Sequence, residues 1–95
     1  MKISEEKLRK VVAVLRSFGA TRVLLFGSCV RDPEGARDVD LAVEGIPLGQ
    51  IWRADGAVTE VFDTPCDLVV REETPGFYEI IRKRAKVLYE QAGID

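Results

Sequence analysis

Apolar residues along this chain follow two periods, and the switches between them mark out its elements. Leu8, Val11, Val12, Leu15 and Phe18 fall at the i, i+3, i+4, i+7 spacing that gathers side chains on one helical face. Ser4 is a suitable N-cap, Glu5 and Glu6 complement the helix dipole, and Ile3 is placed to staple onto Leu8. Gly19 ends that helix, and Val23 to Phe26 reads as a short buried strand that breaks at Gly27-Ser28. A second strand spans Val39 to Val43 and stops at Glu44-Gly45. Pro47 then suits the first turn of a helix running to about Phe62, with Leu48, Ile51, Trp52, Val58, Val61 and Phe62 as its buried stripe and Gly56 as its weak point. Cys66 to Val70 forms a third strand after the Asp63-Thr64-Pro65 turn. Thr74-Pro75 opens a last helix with Phe77, Ile80 and Ile81 inward, and Val87-Leu88-Tyr89 reads as a short edge strand rather than a continued helix. The order helix, strand, strand, helix, strand, helix is that of an α+β domain.

Length and charge narrow the picture. Ninety-five residues predict one domain over 1–95, with one core and no separate base-binding domain, so a substrate pocket is expected to be shallow or completed by a partner. A formal charge of −2, with basic and acidic residues interspersed, supplies no field for stable nucleic-acid binding. No run approaches the ~20 apolar residues of a membrane span and the first residues lack a signal-peptide core, so a cytoplasmic location and no membrane partner are expected. Cys29 and Cys66 fit no zinc spacing in a chain without histidine; both read as small buried hydrophobes, with Cys29, in the turn after the first strand, the one open to oxidation or alkylation.

The chemistry concentrates between Leu24 and Val43. Gly27 permits a tight turn, and Ser28 begins a segment able to wrap an anion with backbone N–H groups and its hydroxyl. Asp38 and Asp40 stand two residues apart at the start of a strand, so both carboxylates leave the sheet on one face, as oxygen donors for a hard divalent cation. Asp67 lies inside an otherwise apolar strand, where an aspartate either caps the exposed end or joins a polar site. Asp32 reads as a turn residue, the Arg82-Lys83-Arg84-Lys86 run as a wet helix face, and Trp52 as an anchor packing its helix onto the sheet rather than the border of a base pocket.

The succession Gly27-Ser28, Arg31, then Asp38-Val39-Asp40-Leu41 resembles the signature of the nucleotidyltransferase superfamily that includes DNA polymerase beta. From the first helix to Tyr89 the chain is similar to its small stand-alone members, the minimal nucleotidyltransferases encoded beside HEPN-domain proteins. Many small members carry Ser or Thr before the first aspartate, where this chain has Arg37.

The resemblance implies a mixed sheet with helices packed on one side. It also implies that Asp67 is the third carboxylate, meeting Asp38 and Asp40 across neighbouring strands. Asp38 and Asp40 would then hold two Mg²⁺ ions, with Mn²⁺ as the alternative, shared with the triphosphate of ATP or another nucleotide. Asp67 would serve the metal nearest the nucleophile, and Gly27 and Ser28 would hold phosphates, with Arg31 or Arg37 as electrostatic helpers. The expected reaction is transfer of AMP to a hydroxyl, typically a tyrosine of a HEPN toxin, which makes the chain an antitoxin. The alternative is a binding module that neutralises the HEPN partner by contact alone; transfer to a small molecule ranks lower without a second domain, and a homo-oligomer stays open.

Overall fold

The computed structural model describes residues 4–32, 38–64 and 66–93. Helix α1 (Glu5–Ser17) starts where Ser4 Oγ accepts the Lys7 backbone N–H at 3.1 Å, as the capping pattern requires. The stapling role of Ile3 falls outside the described residues. Strand β1 (Arg22–Phe26) leads through Gly27 into a single-turn helix α2 (Ser28–Arg31), where the sequence suggests only a turn. Strand β2 (Val39–Glu44) follows, then a 3₁₀ turn at Leu48–Gln50 and helix α3 (Ile51–Phe62). Strand β3 (Cys66–Val70), helix α4 (Pro75–Arg82) and strand β4 (Lys86–Glu90) complete the chain.

The four strands form one mixed sheet in the order β3-β2-β1-β4. β1 runs antiparallel to β2 and β4, whereas β2 and β3 are parallel and joined through α3. The β1–β4 register shifts between Val23 and Leu24: Val23 faces Tyr89 and Leu24 faces Val87, which leaves Leu88 as an extra residue.

Two cores follow from the alternation of strand side chains. Val23, Leu25, Val39, Leu41 and Val43 point into the larger core with Val11 and Leu15 of α1 and Ala54, Val58 and Phe62 of α3. Leu24 and Ala42 point the other way, against Tyr78 and Ile81 of α4. The α+β class and mixed sheet are therefore as expected, and α1 and α3 share one face as the resemblance implies; α4 covers part of the opposite face. Two details of packing are corrected. Trp52 is 88% exposed, because α3 turns Ala54 and Val58 inward instead, so it anchors nothing. Phe77 and Ile80 also face outward, since the inner stripe of α4 runs through Tyr78 and Ile81.

Beneath α4 lies a polar cluster that the sequence does not advertise. Arg22 is buried, with Nη1 donating to Glu44 Oε2 at 3.0 Å and Nε to Glu90 Oε2 at 2.9 Å. Tyr78 donates its hydroxyl to the same Glu44 oxygen at 3.3 Å, and Arg71 approaches the other at 3.5 Å. These bonds tie one end of β1, β2 and β4 to α4.

Candidate active site

The other end of the same sheet face carries the acidic residues. On β2 the residues of that face are Asp40, Ala42 and Glu44; Ala42 lies under α4 and Glu44 joins the Arg22 cluster, so Asp40 falls beyond the covered stretch. In the parallel β2–β3 ladder Asp40 is paired directly with Asp67, which brings the two carboxylates side by side. Asp67 is exposed and Asp40 half-buried.

The electrostatics agree with that closeness. Burial pushes the Asp40 carboxyl above the usual carboxylate range, the charge of Asp67 and a hydrogen bond with it raise it further, Asp38 adds to this, and Arg31 opposes it. Four of the expected residues thus act on one another. Asp38 is exposed and immediately precedes β2; its carbonyl accepts the thiol of Cys29 at 2.8 Å, which fixes its backbone to α2.

Gly27 is the hinge of the arrangement. With φ of 76° and ψ of −149° it adopts a conformation essentially restricted to glycine, and a Cβ placed there would run into the Asp40 carboxylate, Oδ2 first. The turn can pass against Asp40 only because Gly27 has no side chain. Phe26 pairs with Asp40 across the β1–β2 ladder, so the chain reaches Ser28 at the start of α2 directly beside the acidic pair. Arg31 closes that single turn, its backbone N–H bonded to the Gly27 carbonyl at 3.3 Å. Arg37 lies outside the described residues.

Cys29 is buried, as the reading of a small buried hydrophobe expects, and is not the accessible thiol that its place in the turn left open; burial pushes its pKa up, a backbone hydrogen bond at Asp40 opposes this, and the nearby Asp40 and Asp38 charges add to it. Cys66, next to Asp67, is pushed up to about 11 by burial first and then by the charge of Asp55.

Asp40 and Asp67 suit a hard divalent cation in the way Mg²⁺ is commonly held, by one or two carboxylates with substrate phosphates supplying further oxygens. Among the described residues no group of three or more Asp, Glu, Cys or His side chains is gathered tightly enough to hold a metal alone. A cleft of about 500 Å³ lies between α1 and β4, away from the site, and includes none of the acidic or phosphate-turn residues. Another, of about 260 Å³, opens beside Gly27 and Arg31 and extends under Phe77 and Ile80.

No protein-family model and no curated protein matches the sequence. Solved structures do match. A toxin-antitoxin complex with AMP-PNP contains a chain that is 20% identical with a TM-score of 0.74, covering 90% of this chain and 74% of that one. A protein described as a minimal nucleotidyltransferase is 25% identical with a TM-score of 0.72, covering 85% of this chain and 88% of its own. The fold is that of a minimal nucleotidyltransferase. A complex of a tri-AMPylated Shewanella oneidensis HEPN toxin with MNT antitoxin also contains a chain of similar fold, at 19% identity and a TM-score of 0.71, covering 94% of this chain and 74% of that one. As for the membrane, no helix among the described residues is long and apolar enough to cross one.

Proposed function

We propose that this protein is a metal-dependent nucleotidyltransferase that moves AMP from ATP to a hydroxyl, with a tyrosine of a HEPN-domain toxin as the acceptor, and so acts as an antitoxin. The observation that carries this reading is the apposition of Asp40 and Asp67 across the β2–β3 ladder, beside a turn that only glycine allows. Two like charges held together at the edge of a sheet are costly without a cation, and no structural need is met by pairing them. The AMP-PNP and tri-AMPylated complexes of the structural neighbours support the choice of nucleotide and partner.

Asp40, Asp67 and Asp38 would hold Mg²⁺, which supplies charge neutralisation for the triphosphate and stabilises the attacking and leaving oxygens of an in-line displacement. Gly27 and Ser28 would seat the phosphates, Ser28 through its hydroxyl and its N–H at the start of α2. Arg31 would add positive charge where the departing pyrophosphate collects it. Asp67, the more exposed of the pair, is the carboxylate an incoming hydroxyl reaches first, and its role is to accept the proton of that hydroxyl. The acceptor oxygen bonds to the α-phosphorus, the bond to the bridging oxygen breaks, and pyrophosphate leaves.

The test is direct. With labelled ATP, Mg²⁺ and a HEPN protein encoded beside its gene, the chain should transfer label to that protein, and Asp38→Asn with Asp40→Asn should abolish labelling while complex formation persists. Arg37, where many small members carry Ser or Thr, keeps a second reading open, neutralisation by contact alone. A double variant that still neutralises the toxin as well as the parent would select it.

A further inference from the structure

We infer that the cleft between α2 and α4 is the seat of the purine base of the donor nucleotide, with Phe77 as the residue the base stacks on. This rests on the nucleotidyltransferase reading above and extends it to residues outside the acidic pair. The cleft is lined by Phe26 and Gly27 of the first strand and turn, Val30 and Arg31 of α2, and Phe77, Ile80, Ile81 and Arg84 on the α4 side.

Four observations favour a base as the occupant. The cleft begins at Gly27 and Arg31, the residues that would seat the phosphates, so one molecule can span both places. Its lining holds two guanidinium groups and no carboxylate, which suits an anionic nucleotide and disfavours an acidic-pair partner such as a basic peptide. Arg84 makes no ion pair among the described residues and so keeps its donors for a ring nitrogen or a phosphate. The volume, about 260 Å³, falls just under the ~300–1,000 Å³ usual for ligand clefts, which is room for one planar ring system and not for a folded segment of a partner.

The inference also accounts for an oddity of α4. Phe77 and Ile80 are 51% and 66% exposed, although the helix has an inner face that could have buried them. An aromatic ring held at the lip of an apolar cleft with a guanidinium nearby is what base stacking uses, and such stacking is worth ~1–3 kcal/mol by alanine substitution.

The experiment compares two ligands on the whole chain in the presence of Mg²⁺, ATP and inorganic tripolyphosphate. ATP should bind the parent more tightly than tripolyphosphate. Phe77→Ala should weaken ATP by roughly 5- to 150-fold, the factor that corresponds to ~1–3 kcal/mol, and leave tripolyphosphate unchanged. Phe77→Tyr, which keeps the ring, should restore ATP affinity. Because Phe77 is half exposed, the ligand-free melting temperature of both variants should match the parent. Equal affinity of the parent for the two ligands, or ATP affinity unaffected by Phe77→Ala, overturns the inference while leaving the nucleotidyltransferase reading intact. Loss of HEPN binding in Phe77→Ala with ATP affinity unchanged would also overturn it, and would assign the cleft to the partner protein. Failure of the parent to bind either ligand would instead defeat the underlying reading, and this inference with it.

Discussion

Gly27 and Asp40 occupy each other's space: the position a Cβ would take on Gly27 is already filled by the Asp40 carboxylate. The turn and the acid therefore belong to one unit, although they sit on different segments of the chain. Gly27→Ala combines a backbone conformation forbidden to alanine with that collision, and should cost roughly 1–3 kcal/mol of stability. Thermal melting should show a fall of about 4–8 °C per kcal/mol lost. The same variant should lose the rise in melting temperature that ATP and Mg²⁺ give the parent. An unchanged melting curve would mean that the turn can move away from Asp40 freely.

Asp40 has a folded pKa above its ordinary value, the reverse of an acid that stabilises its protein. The folded state holds the proton more tightly than the unfolded chain does. Its contribution to stability is therefore most favourable below the ordinary carboxylate pKa, declines as the pH rises through the raised value, and stays unfavourable at neutral pH. Asp40→Asn should accordingly raise the melting temperature by a few degrees at pH 7 while abolishing transfer, and the gain should shrink as the pH falls through the raised value and vanish below about 4. Mg²⁺ should stabilise the parent more than the variant. A neutral-pH melting temperature below that of the parent would show that the repulsion with Asp67 is already relieved within the chain.

Arg22 should be the least replaceable charged residue. At 4% exposure it serves both Glu44 and Glu90, and Arg22→Met would leave the Glu44 carboxylate under α4 with only Tyr78 and the longer contact from Arg71. Breaking a buried pair in this way costs ~3–5 kcal/mol, and the lower end is expected because two partners of Glu44 remain. Denaturant unfolding should register the loss as a lower midpoint with the slope unchanged. A loss below about 1 kcal/mol would show that the cluster is held by its apolar stems alone.

Neither cysteine should react in the folded protein. The Cys66 thiol, pushed up to about 11 by burial and by neighbouring acids, is almost wholly protonated at pH 8, and Cys29 is both buried and engaged with the Asp38 carbonyl. Iodoacetamide should label both thiols quickly in denaturant and slowly without it. Rapid labelling of native Cys29 would require α2 to open.

Most of the framework could be read from the chain because it rests on local periodicity and punctuation. Ser4 caps α1, Gly27 ends β1, Pro75 begins α4, and β3 runs over Cys66–Val70, as the spacing predicts. What could not be read is which way a helix turns once several apolar residues compete for one inner stripe. On α3 the small Ala54 is chosen and Trp52 is left outside; on α4 Tyr78 goes in because Glu44 awaits its hydroxyl, a partner 34 residues away. The placement of α4 on the opposite face from α1 and α3 is equally non-local, since it depends on Leu24 and Ala42 forming a second apolar patch. Of the expected site, strand alternation put Asp38 and Asp40 on one face and the family resemblance implied the meeting with Asp67, but neither the Gly27–Asp40 contact nor the cleft under Phe77 was legible. Its lining comes from three separate elements, and the only signal for it was an aromatic residue at a position the helical pattern assigns to the core.

The extra residue at Leu88 has a consequence for how this molecule meets others. A regular outer strand presents an evenly spaced row of free amides and carbonyls, a template onto which a further chain can add by hydrogen bonding. The shift in register interrupts that row, so the β4 margin offers a less regular template for an added strand.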